Sequence, residues 1–271
     1  VRVVRLNGRE VDAAAPALTP DDPLARAGDG LIETMRARHG VVFRLDRHLA
    51  RMAASAAALG LTGLPSAEAV RHEVARAVAA AGGGDLRVRV AVSAAPTIWV
   101  EAAAEEPLPV SPPAVAAVTV PGGWQPGLAV AEHKTASRAG WAWADRRAAA
   151  AGAGAALLLD DAGRMGEATA AAVFVRTGGR VLTAPVTGLL PGIGREVMLG
   201  FIPGVEQRAA GRAEWESAEE VVLVSALRGV VAVTGIDGRP VGTGRPGSMA
   251  RGQAAAYREL VERETRAGVG G

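Results

Sequence analysis

An α+β chain in two lobes is the fold class that this sequence predicts, and three observations carry the prediction. Leu45, Leu49, Met52 and Ala56 recur at helical spacing, whereas residues 31–38 alternate as a strand does. The stretch Glu106-Pro107-Leu108-Pro109-Val110-Ser111-Pro112-Pro113 is rich in proline and separates two regions of different pattern. Beyond it, short strand-like runs and glycine turns outnumber helical ones. The organisation expected is a small N-terminal α/β domain over residues 1–106, a linker over 107–114, and a large C-terminal domain over 115–271. A length of 271 residues, 49% of them hydrophobic, suits that division and supplies a sizeable core.

The elements follow in order. Residues 1–11 read as a strand and turn, with Asn7-Gly8 at the turn. Asp29-Gly30 precedes the alternating stretch 31–38, and His39-Gly40 turns it into 41–45, a hairpin. Residues 46–59 form a helix with Asp46 as N-cap, and 66–81 form a second, ended by three glycines. Strands are expected over 86–93, 97–102 and 115–120. The spacing then predicts a helix over 135–151. Two hairpins follow, one turning at Asp161-Ala162-Gly163 and one at Gly178-Gly179. Pro191-Gly192-Ile193-Gly194 leads into a helix from Arg195; 220–225 and 230–233 are strands, and 252–266 is a last amphipathic helix.

Composition excludes several classes. There are no cysteines, so disulfides, thiolate catalysis and cysteine metal sites are absent. The four histidines, His39, His48, His72 and His133, lack the close helical spacing of a zinc site, and no metal is expected. The net charge is only +2 and aromatics are 3%, which argues against a nucleic-acid platform. The longest apolar run, 148–159, is too short to span a bilayer, and no signal peptide opens the chain. A cytoplasmic protein is the expectation.

The only lysine is Lys134. Lys and Arg together number 30, so 29 of these residues are arginine. Arginine serves surface charge as well as lysine does, but it cannot become a neutral nucleophile. A lone amine therefore suggests imine chemistry with a carbonyl, as in pyridoxal phosphate enzymes and Schiff-base aldolases. Drift in a GC-rich genome is the competing explanation. Gly192-Ile193-Gly194 before a helix can offer backbone N–H groups to a phosphate, although such turns are also ordinary punctuation. Glu167 lies between hairpin strands among small and apolar residues, as a solvated turn residue would.

The order of these pieces resembles the class IV aminotransferases, the fold-type IV pyridoxal phosphate enzymes. The segments that carry the resemblance are Gly28-Asp29-Gly30-Leu31-Ile32-Glu33-Thr34, Phe43-Arg44-Leu45-Asp46-Arg47-His48-Leu49-Ala50-Arg51-Met52 and His133-Lys134-Thr135. They continue with Met165-Gly166-Glu167-Ala168-Thr169, Leu190-Pro191-Gly192-Ile193-Gly194-Arg195 and Ile236-Asp237-Gly238-Arg239-Pro240-Val241. The resemblance covers nearly the whole chain. It implies a small N-terminal α/β lobe, a larger C-terminal lobe with a barrel-like sheet and the Schiff-base lysine, a site at the lobe interface, and a homodimer.

Residue by residue, the resemblance makes Lys134 the Schiff-base lysine and Glu167 the carboxylate paired with the pyridine nitrogen of pyridoxal 5′-phosphate. Arg51 matches the phosphate-binding arginine of a His-x-x-Arg-Leu motif, with Met52 in the leucine place. Ile193 and Gly194 match the turn whose amides hold the phosphate, and Ser225-Ala226 lies where another hydroxyl usually helps. The family often has threonine where Gly194 stands and an aromatic where Ile32 stands. The loop Ala94-Ala95-Pro96 lacks both the Arg-x-His pair of D-amino-acid aminotransferases and the arginine-rich loop of many aminodeoxychorismate lyases. Arg36, Arg89 and Arg138 are the candidates for the substrate carboxylate.

The function expected is a ping-pong transaminase acting on an amino acid, a D-amino acid by preference, and a 2-keto acid. The alternative is an aminodeoxychorismate lyase releasing pyruvate and 4-aminobenzoate; branched-chain L-amino-acid and R-amine transaminases belong to the same resemblance. A catalytically idle binding protein is disfavoured by the retained Lys134, Glu167 and Arg51. A cofactor-free aldolase would need no phosphate anchor. A Ser-x-x-Lys hydrolase is ruled out because Ala131 stands three residues before the lysine.

Overall fold

The computed structural model describes residues 1–14 and 18–266, which fall into two compact units. The first comprises Val1–Pro107, His133–Arg138 and the chain from Leu260 on; the second comprises Leu108–Glu132 and Ala139–Glu259.

The first unit holds six strands: β1 (Arg2–Leu6), β2 (Arg9–Val11), β3 (Leu31–Arg38), β4 (Val41–Val42), β5 (Asp85–Val92) and β6 (Ile98–Ala104). They form one antiparallel sheet in the order β2-β1-β6-β5-β3-β4. Its helices are α1 (Pro23–Ala27), α2 (Leu45–Ala58) and α3 (Ala67–Ala80). The alternation of β3 sends Leu31, Met35 and Ala37 into a core with Leu49 and Met52 of α2 and Val70, Val74 and Ala77 of α3. Ser66 caps α3 by accepting from Ala69 N–H. The cap of α2 is not Asp46. Arg44 occupies that place in the left-handed region at φ 52°, which starts the helix one residue early and leaves Asp46 in its first turn.

The second unit holds β7 (Ala114–Val120), α4 (Ala139–Ala150), β8 (Ala155–Leu159), β9 (Met165–Ala168), β10 (Ala171–Thr177), β11 (Arg180–Leu182), α5 (Ile193–Phe201), α6 (Arg212–Glu216), β12 (Glu220–Ser225), β13 (Gly229–Ile236) and β14 (Arg239–Pro240). The last helix, α7 (Ser248–Glu264), starts here and ends with residues that group with the first unit. The strands run β11-β10-β12-β13-β7-β8-β9, and β9 also pairs β10. That extra pairing closes six strands into a barrel, as the family resemblance implies. The β13–β7 and β7–β8 pairs are parallel, the second joined through α4. Leu157, Leu159, Val173, Val175, Leu223 and Val231 contribute to its core.

A further expectation changes. Residues 135–138 are not helical; α4 begins at Ala139, because the backbone of 134–136 is bonded to the start of β3 instead. The Lys134 segment, His133–Arg138, groups by its contacts with the first unit. No helix among the described residues is long and apolar enough to cross a membrane.

Candidate active site

The lysine segment finds its place because β4 is short. β4 pairs only with Ala37 and Arg38, so the edge of β3 near its start stays open. Residues 134–136 fill it: Ile32 N–H donates to Lys134 C=O and Ala136 N–H to Gly30 C=O, both at 2.9 Å. Gly28 permits the approach. It sits at φ 61°, and a Cβ there would lie 3.1 Å from the Ser137 backbone.

One face of α2 serves the same region. His48, Arg51 and Ser55, at i, i+3 and i+7, lie on one side of the helix. Glu33 points from β3 into that face and is almost fully buried. Arg51 grips it with two bonds, Nε to Oε1 at 2.9 Å and an amino nitrogen to Oε2 at 2.6 Å. His48 Nδ1 lies 2.8 Å from Oε2. Burial alone would raise the Glu33 pKa, but the His48 hydrogen bond and the Arg51 charge hold it down at about 2. Glu33 is therefore an anion, so His48 Nδ1 carries the donated proton. Burial pushes the His48 pKa down despite Glu33, and the charges of Arg51 and Lys134 push the same way. A neutral His48 leaves the Nε2 lone pair buried and without a hydrogen-bond partner. His133, beside the lysine, meets Ser55 Oγ at 3.1 Å.

The arginine candidates separate here. Arg36 is buried and paired with Asp85 at 2.7 Å, with a further bond to Glu106 C=O, which is a structural placement. Arg138 is half-buried at the end of the lysine segment. Arg89 stands opposite Thr34 in the β3–β5 register, on the face that carries Ile32. Its side chain is half exposed, and its one ion-pair contact is a loose 3.9 Å approach to Glu101. The Ala94-Ala95-Pro96 loop is held short, since Ser93 and Thr97 both donate their hydroxyls to buried Asp22.

In the second unit, Glu167 lies on β9 opposite Ala172 of β10, half-buried, with Trp141 Nε1 at 3.5 Å from Oε1. Ile193 and Gly194 form the first turn of α5, two residues earlier than expected. Gly192 is the N-cap and supplies no side-chain bond, and a first helical turn has no intrahelical acceptors for its N–H groups. Gly194 packs on the end of β12 so closely that a Cβ would lie 3.0 Å from Ser225 backbone atoms. Ser225 Oγ accepts from Arg228 N–H at 3.1 Å across a turn that contains Ala226, and its own proton remains to be donated.

Sequence reasoning gave no role to Glu33 or His48. A carboxylate on the inward face of an alternating strand, next to a His-x-x-Arg pair at helical spacing, was the available signal.

The first unit holds the sole lysine, its main-chain carbonyl bonded to a strand edge, and the second unit holds a helix with no side-chain N-cap; imine chemistry and phosphate binding call for features of these two kinds. Comparison with known proteins agrees. The family model described as "Amino-transferase class IV" matches residues 30–236. A D-alanine aminotransferase of Bacillus licheniformis is 29% identical over 97% of this chain and 98% of that protein. The branched-chain aminotransferase of Thermoproteus uzoniensis, solved with norvaline, is 26% identical at a TM-score of 0.84, covering 97% of this chain and 95% of its own. A hypothetical aminotransferase of Mycobacterium tuberculosis in a PLP-bound form is 25% identical at a TM-score of 0.81, over 97% and 98% of the two chains.

The chain belongs to the class IV aminotransferases, and it is a pyridoxal-phosphate-dependent enzyme of fold type IV. Its residues fit that cofactor. Lys134 supplies the only side-chain amine, and in the second unit the first turn of α5 has N–H groups without intrahelical acceptors.

Proposed function

We propose that this aminotransferase moves the amino group of a small D-amino acid to a 2-keto acid, with Arg89 taking the substrate carboxylate. Lys134 is assigned the Schiff base, and Glu167 the pyridine nitrogen. Arg51, Ile193, Gly194, Ser225 and the amide of Ala226 are assigned the phosphate. Bound pyridoxal phosphate supplies an electron sink for the carbanion of the substrate carbon. The Lys134 amine would serve as the base that takes the proton from that carbon. Glu167 would pair with the ring nitrogen and keep a proton on it. Arg51 has one edge committed to Glu33, so any phosphate contact comes from its other edge. A homodimer and a cytoplasmic location are the assembly and address that accompany this reading.

The observation that carries the carboxylate assignment is the placement of Arg89. It shares a sheet face with Ile32, whose N–H is bonded to Lys134, whereas Arg36 is already committed to Asp85. The D preference leans on the nearly full-length similarity to a D-alanine aminotransferase. The short Ala94 loop carries no arginine; it lacks the arginine-rich segment of many lyases and equally the Arg-x-His pair of D-amino-acid aminotransferases, so the carboxylate partner is sought elsewhere, at Arg89.

The test is the half-reaction followed by cofactor absorbance with D-alanine, D-glutamate, L-leucine or L-valine, beside pyruvate release from aminodeoxychorismate. D-alanine should convert the cofactor fastest, and Arg89→Ala should raise its KM by about tenfold or more, the scale of one charge-assisted contact. Faster conversion by the L-amino acids would replace the D assignment with the branched-chain one. Pyruvate release without any D-amino-acid half-reaction would replace it with the lyase.

A further inference from the structure

We propose that Arg195 is a positioning residue for the phosphate, its buried guanidinium supplying the positive field that makes the α5 turn selective for a dianion. The inference rests on the phosphate role just assigned to that turn.

Arg195 is the third residue of α5, next to Gly194, and only 8% of it is exposed. One amino nitrogen donates to Ala184 C=O at 2.9 Å and to Gln207 Oε1 at 3.1 Å. Both acceptors are neutral. Nε is buried with no partner, and Arg195 forms no ion pair among the described residues. Burying a cation without a counter-charge is costly, and the first turn of a helix is the wrong end for one, because the helix dipole is positive there. Burial pushes the Arg195 pKa down, in the direction this cost requires. Glu167 lines the same small cavity but makes no ion pair with Arg195, and an anion at the turn would supply the counter-charge. A phosphate dianion would meet the N–H groups of the first turn and lie within the field of Arg195. The bonds to Ala184 and Gln207 fix where that charge sits, so Arg195 acts through the turn and its field without touching the reacting atoms.

The experiment compares pyridoxal phosphate with pyridoxal, which lacks the phosphate. Both are titrated into the wild-type apoenzyme, Arg195→Met and Arg195→Lys, and the melting temperature of each apoenzyme is read with and without inorganic phosphate. Arg195→Met should raise the Kd for pyridoxal phosphate about tenfold or more and that for pyridoxal less than about twofold, on the scale where 1.4 kcal/mol is tenfold. Its apoenzyme should melt no lower than the wild type, because an unpaired buried cation has gone, and phosphate should no longer raise that melting temperature. Arg195→Lys keeps the charge and should restore most of the selectivity. Equal weakening for both ligands, or a lower apoenzyme melting temperature with the ligand ratio unchanged, would make Arg195 a packing residue and overturn the proposal. If Arg195→Met does not fold, Arg195→Lys decides: a tenfold loss shared by both ligands overturns the proposal. A wild-type protein that binds pyridoxal as tightly as the phosphate would instead remove the phosphate role of the turn itself, a separate result.

Discussion

The backbone N–H of Ile32 donates to the carbonyl of Lys134 across 2.9 Å, so the lysine is tied to the first unit's sheet by its main chain. The tie is made by main-chain atoms alone. The open edge of β3 therefore fixes the backbone of this segment whatever the side chain at 134. Replacing the side chain should leave that backbone bonding in place.

Lys134→Arg should therefore fold and melt close to the wild type while losing all turnover. The guanidinium keeps a positive charge but cannot form the imine. Borohydride reduction and peptide mapping check it: the wild type should carry the pyridoxyl group on the Lys134 peptide and the variant should carry none. Labelling elsewhere, in a chain with one side-chain amine, would remove Lys134 from the chemistry.

Arg51 does two jobs in this reading, and its variants separate them. Arg51→Ala strips Glu33 of its charge partner in a buried setting, a loss of about 3–5 kcal/mol when one member of such a pair is removed. Cofactor affinity and stability should fall together. Arg51→Lys keeps a cation near Glu33 but loses the two-pronged geometry, so it should restore much of the stability and less of the affinity. Denaturant unfolding beside cofactor titration reads both, and full affinity in Arg51→Lys would mean that Arg51 serves Glu33 alone.

Much of the fold was legible because periodicity reports local burial. β3 and β12 lie where alternation and apolar runs put them, and α3 lies within the helix expected over 66–81. The helix expected over 135–151 was wrong at its start for a non-local reason. Thr135 and Ala136 are compatible with a helix, but the edge of β3, about a hundred residues away, takes the Lys134 carbonyl and the Ala136 N–H, and Thr135 N–H turns back to His133 C=O. Barrel closure is equally non-local, since it depends on β9 pairing both β8 and β10. Lys134 stood out in the sequence by its rarity. Glu33 did not, because only the depth of its burial, which one strand cannot reveal, makes a carboxylate there unusual.

Glu167→Gln should keep the cofactor and slow proton transfer by orders of magnitude. An amide cannot hold the ring nitrogen protonated, so the substrate carbanion loses its sink. The variant should still be yellow, and stopped-flow absorbance of the half-reaction with a good donor should show slow conversion. Wild-type speed would take Glu167 out of the mechanism.

Acid should unfold the protein in two stages. The His48 pKa is depressed below its ordinary 6.5, so the folded state binds that proton less well than the unfolded state. Its contribution is complete above 6.5 and is lost as pH falls below that value. Glu33 sits at about 2 against an ordinary 4.5, so its contribution is present above 4.5 and drains as pH falls towards 2. Urea midpoints measured from pH 8 to pH 3 should decline in the upper window first. His48→Asn, which can still donate to Glu33, should flatten the upper window and leave the lower one. A variant profile that matches the wild type above pH 5 would remove His48 as the cause.

Gly194→Ala tests the closest contact in the proposed phosphate turn. Alanine favours a helix over glycine by about 1 kcal/mol in an interior position, and by itself that would stabilise α5. The new Cβ would lie 3.0 Å from the Ser225 backbone, so either the helix or the strand end must shift by a few tenths of an ångström. The strand end resists. Ser225 is paired with Gly229 of β13, its carbonyl accepts from Tyr257 Oη at 3.3 Å, and its hydroxyl accepts from Arg228 N–H. Overpacking against a fixed neighbour costs about 1–3 kcal/mol, which exceeds the propensity gain. The variant should therefore be less stable, and it should bind pyridoxal phosphate more weakly because α5 yields and carries its N–H groups away from the phosphate. Thermal unfolding of the apoenzyme and cofactor titration measure the two effects separately. A variant that is more stable than the wild type and binds the cofactor equally well would show that Ser225 gives way, and that the glycine is not needed for the turn.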